Sequence, residues 1–280
     1  MKNILVPTDF SKNASDAAYY AGALAHITGA RILLFHAYQV SVALADAADL
    51  SIDLDLENFE NLNQTQIDKL AYDLHQKYNI SVTRIMRPGF ATDEIPAIAK
   101  RLQADLVVMG MRGQGQPTGS SVGKITESIL QDCQVPVLCI PAGLIFNPLS
   151  HINFTYKSTL GHPQPAIAVI QKLENLFGAP VIVAPDPVNI PDTHTLLKEV
   201  ITAIQAPQPD YADYMYDSGG ILTGEISFSG PSSSGQLVII RADKNNLKNI
   251  AATAHLTDGS ARLLSQPVLT LPDNEYVPFW

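Results

Sequence analysis

Three glycines and a lysine in the first half of the chain have the types and spacing of an anion-binding loop. Gly110, Gly113 and Gly123 are separated by two and by nine residues, and Lys124 directly follows the last glycine. Glycine lets a backbone approach a ligand closely or take a positive φ. A loop that leads into a helix also points unpaired N–H groups toward an anion. The pattern therefore predicts a loop that holds phosphate.

A predicted strand and a predicted helix position this loop. The continuous apolar run from Leu106 to Met109 ends at Gly110, as a buried parallel strand does where it meets a ligand loop. After the loop, the segment from Lys124 to Gln131 has the pattern of a helix. The glycines are thus expected at the carboxyl end of a strand and at the start of a helix.

A second candidate group follows the first predicted strand. Ile4 to Val6 is apolar and leads into Pro7, Thr8 and Asp9. Asp9 could bind a ligand, or it could cap the next helix, since aspartate is a good N-cap after a strand-to-helix turn. That helix is predicted from Ser11 to Thr28, with Ser11 or Ser15 as other caps and Gly29 as its end.

Strands and helices alternate along the rest of the first half. Further strands are predicted at Arg31–Ala37, Ser81–Arg87 and Val135–Ile140, and helices at Thr65–Tyr78 and Asp93–Leu102. The region from Val40 to about Gln64 has no firm period and is interpreted as a loop that runs into a helix. This alternation predicts an α/β fold, with a parallel sheet and helices on both faces.

Length and composition limit the classes of function. The 280 residues suffice for one large domain or two of about 140. A formal charge of −9 argues against a general binder of nucleic acid or of anionic membranes. Cys133 and Cys139 lack partners at metal spacing and are predicted to be small buried hydrophobes in a reducing compartment. No signal peptide or membrane helix is expected, so we expect a cytoplasmic protein.

The chain contains an internal repeat. A shift of 131 residues superposes three segments, Gly89–Ile95 on Gly220–Ile226, Asp105–Met109 on Gln236–Ile240, and Pro136–Pro141 on Pro267–Pro272. A shift of 149 residues places Gly29–Leu34 on Gly178–Val183, so the second copy is shorter in between. We therefore predict a duplicated α/β domain, with copies at residues 1–146 and 151–280.

The repeat provides an internal control on the glycines. The 131-residue shift places Gly110, Gly113 and Gly123 on Arg241, Lys244 and Ala254. Asp9 aligns approximately with Lys157, so the acidic residue is lost as well. Glycines that are needed only for folding should persist in both copies. Their loss in the second copy predicts that they serve a ligand in the first.

Several motifs of the first half occur together in one known family. They are a strand that ends in Pro-Thr-Asp, a Leu-Phe-His-Ala strand, Gly-x4-Glu-Ile, Asp-Leu-Val-Val-Met-Gly with the Gly-x2-Gly-x9-Gly spacing, and Pro-Val-Leu-x-Ile-Pro. This set resembles the universal stress protein (UspA) family, closely over residues 1–143 and in degenerate form over 151–273. The resemblance, to tandem members of the family, implies two Rossmann-like (HUP/UspA-type) domains. Each would have a mostly parallel five-stranded sheet flanked by helices.

The resemblance also implies a site for ATP, ADP or AMP at the strand ends of the first domain. Near the adenosine it places Pro7, Thr8, Asp9 and the backbone of Ala37. Beside the ribose and phosphates it places Met109, Gly110, Arg112 and Gly113, and at the phosphate-holding helix start Gly123, Lys124, Ile125 and Thr126. The family motif has Ser or Thr where this chain has Lys124. A cation that pairs with phosphate thus replaces a hydroxyl that could approach Mg²⁺, so the need for Mg²⁺ stays open.

The predicted function is that of a cytoplasmic universal stress protein with a regulatory role, whose first domain binds an adenine nucleotide. The second domain would be a structural partner in a pseudo-dimer or in self-association. The alternative is an interaction module that binds no nucleotide and acts through protein contacts, with Lys124 marking the loss. The sequence lacks a Ser-His-Asp set, an HExxH motif and a P-loop lysine signature, so the enzymatic alternatives left open are slow nucleotide hydrolysis and an adenylate-handling transferase. His36, on a buried strand, is predicted to be a satisfied core histidine.

Overall fold

A computed structural model describes residues 1–39, 50–113, 122–156, 164–185, 236–241 and 267–272. The chain divides into two compact units, the first of which runs to Ile145 and the second of which starts at Phe146.

The first unit contains five strands and four helices in its described part. The strands are β1 (Asn3–Pro7), β2 (Arg31–Tyr38), β3 (Val82–Pro88), β4 (Leu106–Gly110) and β5 (Val137–Ile140). The helices are α1 (Lys12–Thr28), α2 (Leu50–Tyr78), α3 (Ala91–Arg101) and α4 (Lys124–Asp132). All five predicted strands and the four predicted helices are present, with ends that differ by a few residues except at the start of α2.

The strands form a parallel sheet in the order β3-β2-β1-β4-β5. Helix α1 packs against α2, and α3 packs against α4. The middle of the sheet is fully buried, for example at Ile4, Leu34 and Val107. The predicted α/β class with a mostly parallel, helix-flanked sheet is confirmed for this unit.

Both ends of α1 follow from local sequence. Ser11 is the N-cap, and its Oγ accepts a hydrogen bond from the N–H of Ala14 at 3.2 Å. Gly29, with φ 68°, takes the left-handed conformation that ends many helices, and its N–H donates to the carbonyl of Ala25. The cap is therefore Ser11, and Asp9 lies in the turn before it.

Helix α2 starts at Leu50, earlier than the sequence pattern indicated. Between residues 60 and 66 only Asn63 is buried, and the other side chains are exposed. A helix that buries so little of its surface carries a weak apolar period, which is why this part did not stand out.

The second unit contains four described strands and one described helix. They are β6 (His151–Tyr156), α5 (Gln164–Phe177), β7 (Val181–Pro185), β8 (Gln236–Arg241) and β9 (Val268–Leu271). The strands are parallel, in the order β7-β6-β8-β9. This order matches β2-β1-β4-β5 of the first unit. The repeat segment Gly220–Ile226, Lys244 and Ala254 lie outside the described residues.

Strand pairing follows the same register in the two units. In the first, Ile4 lies opposite Ile32 on one side and Leu106 on the other. In the second, Ile152 lies opposite Val181 and Leu237. Val181 and Leu237 are the residues that the 149- and 131-residue shifts assign to Ile32 and Leu106.

Candidate functional site

The predicted site residues lie around the carboxyl ends of β1 and β4. Strand β1 pairs with β2 on one side and with β4 on the other. From the ends of β1 and β4 the chain therefore continues toward opposite edges of the sheet. In open α/β sheets, ligands bind at this switch point, in the crevice outside the strand ends. Pro7 ends β1, and Gly110 ends β4.

The turn after β1 is fixed by its own hydrogen bonds. The N–H of Thr8 donates to the carbonyl of Phe35 at 2.8 Å. The N–H of Phe10 donates to Thr8 Oγ1, and the N–H of Ser11 donates to Asp9 Oδ1, each at 3.0 Å. Phe10 has φ 61°, a rare conformation for a bulky residue. These bonds hold the Asp9 carboxylate at the end of the strand.

The loop after β4 begins beside this turn. The N–H of Met111 donates to the carbonyl of Ile140 at 3.0 Å, and the N–H of Gly123 donates to the carbonyl of Met111 at 2.8 Å. The two ends of the loop are therefore close together. Residues 114–121, between them, lie outside the described part.

The three loop glycines have different neighbours. A Cβ built on Gly110 would lie 3.0 Å from the carbonyl oxygen of Asn13 in α1, so this glycine allows α1 to pack on the end of β4. A Cβ on Gly113 would lie 2.9 Å from Asp9 Oδ2, which brings the two predicted groups together. A Cβ on Gly123 would lie 3.5 Å or more from every atom of the described residues other than its two chain neighbours. In the part of the chain that the structure describes, packing thus explains Gly110 but gives no reason for Gly123.

The start of α4 offers backbone donors. Gly123 is the N-cap, with no side-chain cap, and the first helical bond runs from the N–H of Glu127 to the carbonyl of Gly123 at 2.9 Å. The N–H groups of Lys124, Ile125 and Thr126 precede that bond and have no partner within the helix. Such donors, together with the positive end of the helix dipole, favour an anion.

Side chains at the start of α4 divide into two groups. Thr126 is buried, and its hydroxyl donates to the carbonyl of Gly110 at 3.1 Å, which joins the helix to the end of β4. Lys124 and Ile125 are exposed. Within the described ranges, neither Lys124 nor Arg112 forms an ion pair or a side-chain hydrogen bond. Two cations, one within the glycine loop and one directly after it, therefore have no partner among the described side chains.

The backbone of Ala37 faces the end of β1. Successive residues of a strand direct their N–H and C=O groups to opposite neighbouring strands. The carbonyl of Phe35 points toward β1 and accepts a hydrogen bond from the N–H of Thr8. The carbonyl of Tyr38 points toward β3 and accepts one from the N–H of Gly89. Ala37 has the parity of Phe35, so its N–H and C=O point toward the side where β1 has ended. Met109 is buried and lies opposite Cys139.

His36 has a partner that sequence reasoning did not identify. Its Nδ1 lies 2.8 Å from the carbonyl oxygen of Thr8, and its ring centroid lies 4.4 Å from that of Phe10. The prediction of a buried histidine with a satisfied ring nitrogen agrees with this geometry. Neither the partner, 28 positions away, nor the positive φ of Phe10 has a sequence signal.

Metal ligands do not cluster in the described part of the chain, where no group of three or more His, Cys, Asp or Glu residues could hold a metal ion. Among the helices described, none is both long and apolar enough to cross a membrane.

Comparison with known proteins identifies the family. The model of the Universal stress protein family matches residues 1–141, which is half of the chain. Universal stress protein MJ0531 of Methanocaldococcus jannaschii is 26% identical over 139 residues, 50% of this chain and 81% of that protein. Universal stress protein Sll1654 of Synechocystis is 28% identical over 140 residues, 50% of this chain and 85% of that protein.

A solved universal stress protein from Archaeoglobus fulgidus has a TM-score of 0.60 and covers 96% of each chain. At 18% identity it shows a likeness of fold alone. The match of the family model, together with the motifs at the ends of β1 and β4, places this chain in the universal stress protein family.

Proposed function

We propose that the first unit binds ATP or a related adenine nucleotide, with its phosphates at the start of α4. The observation that carries this proposal is the set of three N–H groups, of Lys124, Ile125 and Thr126, that have no partner within the helix and lie at the end of the glycine loop.

The charges at this loop favour phosphate. A lysine in the first turn of a helix is unfavourable to the helix dipole unless an anion lies nearby. Lys124 occupies this position, and Arg112 lies between the glycines of the same loop. Charge-assisted hydrogen bonds from both side chains and from the backbone would hold phosphate oxygens. The site would thus bind an anion locally, although the whole chain has a formal charge of −9.

The other end of the site suits a nucleoside. The Asp9 carboxylate lies beside Gly113, between the turn after β1 and the glycine loop. There it would accept hydrogen bonds from ribose hydroxyl groups. The N–H and C=O of Ala37 supply one donor and one acceptor for the edge of adenine. Gly123 also fits, because a side chain at the N-cap would lie where phosphate approaches the helix.

For the second unit we propose a degenerate copy of the first that has lost the site and acts as a structural or regulatory partner in a cytoplasmic protein. Shared strand order and register support the duplication. At the end of β8, Arg241 lies opposite Leu271, just as Gly110 lies opposite Ile140 in the first unit. A long charged residue thus replaces the glycine that ends β4.

Calorimetric titration of the full chain with ATP, ADP and AMP, with and without Mg²⁺, tests the proposal. A universal stress protein has been solved in complex with cAMP, and cAMP is included in the series. Gly113→Val should abolish binding, because its side chain would displace the Asp9 carboxylate. No binding by the wild type, or unchanged binding by Gly113→Val, would refute the proposal and favour the interaction module.

A second pair of variants tests the phosphate end. We expect Lys124→Gln to weaken ATP binding about tenfold, roughly the value of one charge-assisted hydrogen bond, and to leave adenosine binding unchanged. Lys69→Gln is the matched control, since Lys69 is an exposed lysine on α2. Equal losses for ATP and adenosine would show that Lys124 does not contact phosphate.

A further inference from the structure

The side chain of His36 connects β2 to the turn that carries Asp9. Building on the proposed nucleotide site, we infer that His36 is a positioning residue, which fixes this turn through its hydrogen bond to the carbonyl of Thr8. His36 is 9% exposed, and its Nδ1 lies 2.8 Å from that carbonyl oxygen. Because a carbonyl oxygen only accepts, Nδ1 is the donor.

The bond acts on the peptide next to Asp9. The carbonyl of Thr8 and the N–H of Asp9 belong to one planar peptide group. The hydrogen bond from His36 to this carbonyl therefore also fixes the orientation of the peptide plane at Asp9, and with it the direction of the Asp9 side chain. The Oδ2 atom of Asp9 lies 2.9 Å from the position of a Cβ on Gly113, so a small rotation of this peptide would change how the carboxylate meets the glycine loop.

Phe10 makes the turn dependent on such support. Its φ of 61° is strained for a phenylalanine, and strained residues persist only where their surroundings hold them. The His36 ring packs on the Phe10 ring at 4.4 Å, tilted by 41°. His36 thus contacts the turn on both sides of Asp9, at Thr8 through a hydrogen bond and at Phe10 through its ring.

Two substitutions separate positioning from simple filling of the core. His36→Phe keeps an aromatic ring against Phe10 and removes the donor. His36→Asn removes the ring but places its amide nitrogen near the position of Nδ1, where it donates to Thr8. His36→Gln places its amide nitrogen near the position of Nε2 instead and serves as a control. A positioning role predicts that affinity for nucleotide falls in His36→Phe and His36→Gln and is kept in His36→Asn. Simple filling of the core predicts that affinity is kept in His36→Phe and falls in His36→Asn.

The main measurement is the affinity of each full-length variant for ATP, at a temperature where circular dichroism shows all of them folded. We expect the Kd to rise about five- to tenfold in His36→Phe and in His36→Gln, the factor that corresponds to one lost hydrogen bond, and to stay within about twofold in His36→Asn. Wild-type affinity in His36→Phe would overturn the inference.

Hydrogen exchange in the ligand-free protein provides a test that does not depend on nucleotide binding. The N–H groups of Phe10 and Ser11 are hydrogen-bonded within the turn. These N–H groups should exchange faster in His36→Phe than in the wild type. In His36→Asn their exchange should be as slow as in the wild type. Unchanged exchange in His36→Phe would overturn the inference. If the wild type binds no nucleotide but exchange responds as expected, the proposed function fails and the positioning role of His36 stands.

Discussion

Gly110→Ala tests how rigidly the end of β4 is packed against α1. A Cβ at this position would lie 3.0 Å from the carbonyl oxygen of Asn13, 3.1 Å from its carbonyl carbon and 3.2 Å from the carbonyl oxygen of Arg112. All three are backbone atoms, which cannot rotate away as the end of a side chain can. The substitution therefore requires the first turn of α1 or the loop after β4 to shift.

The expected cost follows from overpacking. An extra methyl group in a well-packed site destabilises a protein by about 1–3 kcal/mol. For a chain of this size, each kcal/mol lowers Tm by roughly 2–4 °C, so we expect Gly110→Ala to unfold about 3–10 °C below the wild type. Thermal unfolding followed by far-UV circular dichroism measures this difference directly.

Gly123→Ala is the matched control, since it adds the same methyl group to the same loop. Among the described residues beyond its chain neighbours, the atoms nearest to the new methyl group would be the Cα of Arg112 and the carbonyl oxygen of Met111, both at 3.5 Å. The φ of −74° at Gly123 suits alanine. Alanine is a weaker N-cap than glycine, which destabilises the folded protein, and it lowers the entropy of the unfolded chain, which stabilises it. Each effect amounts to about 0.5–1 kcal/mol and they oppose each other, so we expect Tm to stay within about 2 °C. Similar Tm values for both variants would contradict the inferred rigid contact with Asn13.

Two further predictions concern buried groups. Thr126→Val should destabilise the protein by about 1–2 kcal/mol in urea denaturation, since it leaves the carbonyl of Gly110 without its buried hydroxyl donor, whereas Thr126→Ser keeps the donor and should lose less. Burial raises the pKa of the Cys139 thiol to about 12 and also raises that of Cys133. At pH 9, where an ordinary thiol is about three-quarters ionised, neither cysteine should react with a disulfide reagent in the folded protein, and both should react in urea; rapid reaction without urea would refute this.

The architecture of the first unit could be predicted because its signals are local. Leu106–Met109 is a continuous apolar run that ends in glycine, and it is a buried strand in the structure. Ser11 and Gly29 have the residue types of helix caps, and both act as caps. The closeness of Asp9 and Gly113 could also be predicted, since it requires only that β1 and β4 be parallel neighbours.

Other features depend on contacts between distant residues and could not be predicted. The bond from His36 to Thr8 exists because the turn after β1 brings a carbonyl over the end of β2. Phenylalanine has no preference for positive φ, so nothing in its type marked Phe10. The early start of α2 had no clear signal either, because residues 60–66 bury only one side chain and so give no apolar period.

The structure also changes the interpretation of the repeat. From the sequence, all three glycines of the first copy that the second copy lacks are interpreted alike, as residues that serve a ligand. Yet Gly110 is explained by the backbone of Asn13, and Gly113 by the Asp9 carboxylate. Around a Cβ on Gly123, the described residues beyond its two chain neighbours place no atom closer than 3.5 Å. Of these three glycines, Gly123 is the one for which the described residues give no such reason. If the ligand supplies that reason, Gly123→Ala should weaken ATP binding without lowering Tm, and Gly110→Ala should lower Tm whether or not a nucleotide binds.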